Sequence, residues 1–466
     1  MKELLDEISQ SVTRLYHEAL DPVERKFAFE QRPSDGEIAG GPLVLIVGNH
    51  SSGKSTFLNH LLGEEIQRTG MAPTDDSFTI LRYGEKKGDR DGNAIVTNPE
   101  LSFSSLKQFG PDFLSHFRMR LLPMPILKDV TLVDTPGMID AADPNAGRGY
   151  DFEAAVRWFA NRADVVLIFF DPDRPGTTAE SLTVLTRSLK GMDHKLMVVM
   201  NKMDQFRSMR DFARCYGTLC WNLGKVIPKK DIPQIYTTYV PVEGAAEAVL
   251  PLDDFAVARE ELIDEIRRAP IRRVNNMITH AARHCEHLRM HARIVDRAVD
   301  RLKGTRTRWR ALATLLVIAA AASAYFFFQE ENWMGVTISA VAAIAVAVGG
   351  YFGVREMQKR EEKKIINNLD DIFEDLYRRE LVVENRPEDL LRLWEEVKEV
   401  TVRTLKSLGL KAMPRLKNRE LKRLNNVLEK DIPELRSRLH RVLETQGEAP
   451  LKAGAEAPPE QSLSSD

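Results

Sequence analysis

The sequence has few cysteines, almost no net charge and no apolar stretch at its start. The three cysteines (Cys215, Cys220 and Cys285) show neither metal-site nor disulfide-framework spacing, which indicates reduced thiols that serve packing. Acidic and basic residues nearly cancel, with a formal net charge of −2, so the charge does not point to a nucleic-acid partner. The first residues, MKELLDEISQ, lack the apolar core of a secretory signal, so we expect a cytosolic location for the polar part of the chain.

A phosphate-binding loop is the strongest signal that the sequence does contain. Residues 43–59 read LVLIVGNHSSGKSTFLN, in which a β-rich run enters GNHSSGKS and an amphipathic segment leaves it. Backbone N–H groups of such a loop wrap phosphates, Lys54 reaches the β and γ oxygens, and the Ser55 hydroxyl binds Mg²⁺. The predicted nucleotide contacts here are Gly48, Asn49, His50, Ser51, Ser52, Gly53, Lys54, Ser55 and Thr56.

Two further motifs follow strand-like runs in the order that a nucleotide-binding domain needs. VTLVDTPG (130–137) places Asp134 to hold Mg²⁺ through water and Gly137 to offer its amide to the γ-phosphate. In KLMVVMNKMD (195–204), Asn201, Lys202 and Asp204 suit base recognition. Each motif alone has an ordinary alternative, a simple turn for DTPG and a helix-capping loop for NKMD. All three together predict an α/β phosphate-loop NTPase fold.

The segment that senses the γ-phosphate is predicted at MAPTDDSFT (71–79). Thr74 would supply a hydroxyl to Mg²⁺, joining Ser55 and Asp134 as metal ligands, and the alternative is a turn built from Pro, Thr and Asp. The expected catalytic residues are thus Lys54, Ser55, Thr74, Asp134 and Gly137. No glutamine follows DTPG to orient water, only Met138, so we expect slow hydrolysis until assembly completes the site.

Two uncharged apolar runs, 311–328 and 333–354, flank the short polar stretch QEEN. As helices they would be roughly 27 and 33 Å long, against a bilayer core of about 30 Å. Basic residues precede the first run and follow the second. This pattern predicts a transmembrane hairpin, an integral membrane protein and a cytosolic location for both termini and the nucleotide domain. The alternative is a pair of buried helices in a soluble domain.

Several segments resemble the EH-domain-containing (EHD) branch of the dynamin superfamily. They include LPMPILKDVTLVDTPG (122–137), RGYDFEAAVRWFANRADVVLIFFD (148–171), RCYGTLCWNLGKVI (214–227), PIRRVNNMITHAARHCEHLRMHARIV (270–295) and LKAMPRLKNRELKRLNNVLEKDIPEL (410–435). The resemblance implies a dynamin-like nucleotide domain with a helical domain beneath it, and an NTP-dependent homodimer that forms higher oligomers on a lipid bilayer and remodels it. It also places a dimer-interface tryptophan at Trp221, where the alternative is a core aromatic residue.

The sequence departs from the family in three places. There is no EH domain, switch I reads Pro73-Thr74-Asp75-Asp76 where the family has Pro-Thr-Thr-Asp, and the membrane-contacting hairpin tip is replaced by 311–354. The motif at Asp204 favours GTP, whereas the EHD relatives use adenine nucleotides, so ATP stays an alternative substrate.

The resulting prediction is a membrane-anchored dynamin-like NTPase that couples hydrolysis to membrane remodelling or tethering. The alternative is a nucleotide-gated membrane scaffold with negligible turnover. The predicted organisation is an N-terminal helical segment (1–40), the NTPase domain (41–260), a helical domain in two parts (261–310 and 355–445) that encloses the hairpin (311–354), and a disordered tail (446–466).

Overall fold

The computed structural model describes residues 2–29, 40–66, 77–98, 101–138, 148–172, 181, 184–189, 192–226, 234–242, 249–329, 333–383 and 387–445. Within these ranges the chain forms two compact units. The first comprises the described residues within 1–6, 33–277 and 439–466, and the second comprises those within 7–32 and 278–438. Thr74 with the rest of its switch segment up to Asp76, three of the four QEEN residues (330–332) and the predicted tail lie outside the described residues.

The strands and helices up to residue 277 follow the alternating order of an α/β fold. The strands are β1 (Leu43–Gly48), β2 (Phe78–Tyr83), β3 (Gly88–Asp91), β4 (Phe117–Leu122), β5 (Thr131–Asp134), β6 (Val165–Phe170), β7 (Leu196–Met200) and β8 (Ile235–Thr237). The helices to this point are α1 (Lys2–Leu15), α2 (Asp21–Phe27), α3 (Lys54–Leu62), α4 (Gly92–Thr97), α5 (Gly110–Ser115), α6 (Phe152–Arg162), α7 (Met209–Val226) and α8 (Asp253–Arg267). Short π- and 3₁₀-turns are Tyr16–Leu20, Ser104–Phe109, Pro125–Lys128, Val184–Ser188, Asp193–Lys195 and Met203–Gln205.

All eight strands form one sheet in the order β3-β4-β2-β5-β1-β6-β7-β8. The pairs β2–β5 and β3–β4 are antiparallel, and the other five pairs are parallel. The parallel strands are long apolar runs because helices cover both faces of such a sheet. The predicted α/β fold class is confirmed for this unit.

Side chains of β1 alternate between two hydrophobic cores, one on each face of the sheet, because successive residues of a strand point in opposite directions. Leu45 and Val47 pack in one core with Phe159 of α6 and Leu219 of α7, whereas Ile46 packs in the other. Phe57 of α3 and Leu262 of α8 complete that second core. Burial on both faces makes β1 a rigid support for the loop that follows Gly48.

The remaining helices are long, and several carry an apolar stripe at helical spacing. They are α9 (Ala269–Gln329), α10 (Trp333–Asn367), α11 (Leu369–Val383), α12 (Pro387–Leu408), α13 (Asn418–Asn426) and α14 (Ile432–Thr445), with a π-turn at Val427–Asp431. In α9, the buried residues repeat every three or four positions: Ala281, Cys285, Leu288, Ala292, Val295, Val299 and Leu302. Residues at this spacing lie along one face of a helix, and this is the face on which another helix packs. The second unit is therefore a helical domain, as the sequence predicted.

The prediction of a transmembrane hairpin is wrong. The first apolar run is the last part of α9, which begins at Ala269, and the second is the first part of α10, which continues to Asn367, so both helices also contain charged sequence. Among the residues whose placement the structure describes, no helix is long and apolar enough to cross a membrane. The prediction of an integral membrane protein is therefore also wrong, and the proposed membrane topology loses its basis. Each run is only part of a longer helix that also contains charged residues, so the length of the run does not give the length of the helix.

Candidate nucleotide-binding site

The three predicted motifs meet at one edge of the sheet. Strands β5, β1, β6 and β7 are adjacent and parallel, so their carboxyl ends lie side by side. Gly48 ends β1, Asp134 ends β5, and Asn201 follows the last residue of β7. Ligands of open α/β sheets bind at this carboxyl edge. The topology therefore brings the phosphate, metal and base motifs together, although they are far apart in sequence.

The phosphate loop has the backbone geometry that its glycines permit. Gly53 has φ +88°, a left-handed conformation, immediately before α3 begins at Lys54. A Cβ atom at Gly53 would lie 2.2 Å from Nδ2 of Asn201, so a side chain there would displace the base loop. Ser51 is also left-handed, with φ 64°. Ser52 is fully buried and its Oγ donates to the carbonyl of Asn49 at 2.8 Å, which closes the loop on itself.

Lys54 is buried and its ammonium group lies inside the curve of the loop. Its Nζ donates to the carbonyl oxygens of Gly48 and Asn49 at 2.9 and 3.0 Å. Burial lowers the pKa of Lys54 to about 8, although the nearby Asp134 carboxylate opposes this shift. A partly desolvated cation at the start of a helix is well placed to bind phosphate, because both the charge and the helix N-terminus favour anions.

Ser55 and Asp134 provide the hard oxygen ligands that Mg²⁺ prefers. Ser55 and Thr56 lie in the first turn of α3, and Asp134 ends the neighbouring strand with 8% of its surface exposed. Asp134 is close enough to Lys54 to influence its pKa, so a carboxylate and an ammonium group lie near each other beside the first turn of α3. These residues fit an Mg²⁺–nucleotide complex.

The DTPG segment lies directly against the phosphate loop. Met138 N donates to the Gly48 carbonyl at 3.1 Å, and His50 N donates to the Met138 carbonyl at 2.9 Å. A Cβ atom at Gly137 would lie 2.9 Å from Cα of His50, so this close approach requires glycine. The Met138 side chain is 2% exposed and belongs to the hydrophobic core, so it cannot orient a water molecule.

The NKMD segment is tied both to the phosphate loop and to its neighbouring strands. Nδ2 of Asn201 donates to the Ser52 carbonyl at 3.2 Å, and its Oδ1 accepts from the Thr238 hydroxyl at 3.2 Å. Lys202, with φ 63°, forms a 2.7 Å ion pair with Asp171 at the end of β6. Asp204 is half-buried, and burial raises the pKa of its carboxyl group. The segment that the sequence predicts to recognise the base is thereby fixed to the phosphate loop and to the ends of the neighbouring strands.

Trp221 lies on α7 and is one of the most exposed large side chains, with 69% of its surface accessible. Nζ of Lys225 lies 5.0 Å from the centroid of its ring. Its predicted role at a dimer interface stays a prediction.

Sequence reasoning missed three residues that support the site. Thr238 orients Asn201, Asp171 holds Lys202, and Arg148 donates to the carbonyl of Gly137 at 3.0 Å. Asp171 ends the strand-like run DVVLIFFD, and that position was the signal available from sequence. Thr238 has no local signal because its partner Asn201 is 37 positions away, and nothing in the sequence around Arg148 indicates its contact with Gly137.

A mostly parallel sheet with a phosphate loop after a central strand, and with an NKMD segment beside it, defines the phosphate-loop NTPase class. Residues 44–203 match the model of the Dynamin family. EH domain-containing protein 1 of Bos taurus is 33% identical over 291 residues, which cover 60% of this chain and 54% of that relative. EH domain-containing protein 2 of Rattus norvegicus is 32% identical over 306 residues, which cover 63% of this chain and 55% of the relative.

The chain therefore spans about half the length of the curated relatives it matches. Among solved structures, an oligomerised bacterial dynamin pair aligns over 96% of this chain and 75% of its own, with 12% identity and a TM-score of 0.35. The match to the Dynamin family model and to EH domain-containing relatives confirms the predicted similarity to the EHD branch of the dynamin superfamily.

Proposed function

We propose that this protein is a dynamin-like nucleoside triphosphatase that couples hydrolysis of GTP to self-assembly and to the remodelling or tethering of membranes. The observation that carries the proposal is the hydrogen bond from Asn201 to the Ser52 carbonyl, at 3.2 Å. It joins the base-binding loop to the phosphate loop, so that one nucleotide can engage both. A phosphate loop used only for structure would have no need of this connection.

Different residues of the site would bind different parts of the nucleotide. Amides of the phosphate loop and the ammonium of Lys54 bind the phosphates, while Asp204 and Lys202 contact the base. Ser55, and Asp134 through water, would hold Mg²⁺, which would neutralise charge on the β- and γ-phosphates. The amide of Gly137, which lies close to His50, would bind the γ-phosphate and so distinguish triphosphate from diphosphate.

Exposed apolar side chains on α9 and α10 support action at a membrane surface. Leu315 and Ile318 of α9 are 64% and 63% exposed, and Met334 and Ile344 of α10 are 75% and 64% exposed. Large exposed apolar surfaces mark contacts with membranes or proteins. The resemblance to EH domain-containing proteins favours the membrane as the partner of this surface.

The proposal is tested by nucleotide turnover with and without vesicles of anionic phospholipid. We expect slow turnover in solution and a clear increase with vesicles, because assembly would complete the catalytic site. Lys54→Ala should abolish nucleotide binding while the protein stays folded, since the lysine contributes its charge to phosphate binding. Wild-type nucleotide affinity in Lys54→Ala would contradict the phosphate-loop assignment.

The choice of GTP over ATP rests on Asp204 and is tested separately. An ionised carboxylate accepts paired hydrogen bonds from guanine, so Asp204→Asn should weaken GTP binding by about 1.5–3 kcal/mol. ATP affinity should change little in this variant, which makes ATP the matched control ligand. Tight binding of ATP and not of GTP by the wild-type protein would identify an adenine-nucleotide enzyme.

A second candidate function is a nucleotide-gated membrane scaffold with negligible turnover. The observation that favours it is the burial of Met138, because this residue directly follows DTPG and its apolar side chain cannot orient water. Turnover that stays at background with vesicles, together with nucleotide-dependent vesicle binding, would establish this function.

A further inference from the structure

Arg148 lies beside the γ-phosphate-sensing loop and has no role in the motifs that define the site. Its Nη2 donates to the Gly137 carbonyl at 3.0 Å. The opposite side of the same loop is bound to the phosphate loop, through hydrogen bonds of Met138 with Gly48 and His50. The Gly137–Met138 segment is therefore held between the phosphate loop and the guanidinium group of Arg148.

The guanidinium group is itself fixed in place by an aromatic ring. Its Cζ lies 3.9 Å from the centroid of Phe152, the first residue of α6. Phe152 is fully buried and packs against Phe78 of β2, with ring centroids 5.8 Å apart. An arginine stacked on a buried ring and bonded to a carbonyl has lost much of its freedom, so no further ordering is needed when a ligand binds.

The location also brings a second positive charge to the phosphate site. Arg148 is bonded to the carbonyl of Gly137, and Gly137 lies directly against His50 of the phosphate loop, whose carbonyl groups also hold the Lys54 ammonium group. Two cations held near each other repel, and an anion between them relieves the repulsion. The γ-phosphate is the anion that the site would bind, and its charge is what a phosphoryl-transfer enzyme must stabilise.

We infer that Arg148 is a positioning residue for phosphoryl transfer. By holding the Gly137 carbonyl it fixes the peptide group between Gly137 and Met138, which keeps the backbone of Gly137 in place with its N–H available to the γ-phosphate, and it adds positive charge there. The inference rests on the proposed function and deepens it. Arg148 would perform within the chain part of the charge stabilisation that Met138 cannot provide. It would act on the triphosphate state selectively, because Gly137 has no γ-phosphate to bind in a diphosphate complex.

The test compares Arg148→Gln and Arg148→Lys with a matched control, Arg162→Gln. Arg162 lies at the other end of α6 and stacks on Trp158, with Cζ 3.7 Å from the ring centroid. It has the same chemistry as Arg148, but its backbone partner is the Trp158 carbonyl of its own helix. Each variant is measured for kcat and KM with GTP, and for the affinities of GDP and a non-hydrolysable GTP analogue.

We expect Arg148→Gln to lower kcat by at least about tenfold, since one oriented donor is lost from the charge-stabilising set. The affinity ratio of analogue to GDP should fall by about tenfold, while GDP affinity stays within about twofold. Arg148→Lys should have a higher kcat than Arg148→Gln, because lysine keeps the positive charge, but a lower kcat than the wild type, because it lacks the planar guanidinium group with its several N–H donors. Arg162→Gln should leave kcat and the affinity ratio unchanged.

Two results would overturn the inference. The first is an Arg148→Gln variant with wild-type kcat and a wild-type affinity ratio. The second is an equal loss in Arg162→Gln, which would show that stacking on α6 matters only for folding. Failure of the proposed function is a different result, because the wild-type protein and Lys54→Ala would then show the same absence of nucleotide binding.

Discussion

The side chain of Asn201 joins the two nucleotide-binding loops, with its Nδ2 3.2 Å from the Ser52 carbonyl and its Oδ1 3.2 Å from the Thr238 hydroxyl. Asn201 is 2% exposed and Thr238 is fully buried, so both hydrogen bonds are shielded from water. The sequence predicts a role for Asn201 in base recognition, which stays a prediction, and the structure adds that its side-chain amide connects the two loops. The base loop and the phosphate loop therefore form one unit.

Asn201→Ala should weaken binding of every nucleotide, whatever its base. The loss of two buried hydrogen bonds should make the free energy of nucleotide binding less favourable by on the order of 1–3 kcal/mol. This corresponds to an increase in Kd of roughly fivefold to a hundredfold. Thr238→Val removes only one of the bonds and should have a smaller effect in the same direction. Isothermal titration with GTP and ATP measures both; a loss confined to GTP would return Asn201 to base recognition.

Above about pH 8, nucleotide binding should be accompanied by the uptake of a proton. Burial lowers the pKa of Lys54 to about 8 in the free protein, and a bound phosphate raises it again by charge neutralisation. Lys54 is therefore partly deprotonated above pH 8 before binding and protonated afterwards, so affinity should fall as pH increases. Calorimetry at pH 8.5 in two buffers of different ionisation enthalpy measures the proton uptake.

The matched control for this measurement is the same titration at pH 6.5, where Lys54 is protonated in both states and no uptake by this residue is expected. An uptake of equal size at both pH values would assign the proton to another group.

Trp221→Ala should weaken dimer formation if the resemblance to EH domain-containing proteins extends to this surface. A tryptophan that is 69% exposed in one chain would lose much of that exposure at an interface, and aromatic anchors dominate binding energy. Light scattering in the presence of a non-hydrolysable nucleotide measures the dimer fraction. Leu391→Ala is the control, since Leu391 is also apolar and 46% exposed. A variant at Trp221 that dimerises as the wild type does would exclude this residue from the interface.

His291 should make the helical domain less stable in acid. Burial lowers the pKa of His291 to about 4, although its hydrogen bond to the Phe27 carbonyl opposes the shift. Since the unfolded side chain titrates near 6.5, the unfolded state binds more protons between these values. The free energy of unfolding therefore falls as pH drops from about 6.5 towards 4, by up to about 3 kcal/mol.

Urea unfolding of the wild type and of His291→Gln at pH 7 and pH 5 measures this effect. Glutamine keeps a donor towards the Phe27 carbonyl and does not titrate, so the loss of stability between the two pH values should be smaller in the variant. An equal loss in both proteins would assign the acid sensitivity to other groups of the domain, such as His287, whose pKa burial also lowers.

The sequence by itself determined the nucleotide fold and most of the site. The run LVLIV has an apolar residue at every position and is followed directly by GNHSSGKS. This pattern is typical of a buried parallel strand that leads into a phosphate-binding loop. Local chemistry fixes such a motif: glycines permit the left-handed turn at Gly53, and Lys54 follows at the helix N-terminus. Leucine spacing likewise predicted helix packing in 421–439, where Leu424, Ile432 and Leu435 are buried.

The tertiary structure decided what depends on partners far apart in the chain. Asp171 and Thr238 act through Lys202 and Asn201, and only the strand order β6-β7-β8 brings these pairs together. The apolar runs 311–328 and 333–354 failed as predictors for a related reason. Hydropathy reports the composition of a run, whereas the extent of a helix depends on backbone hydrogen bonds that continue through the charged residues beside it.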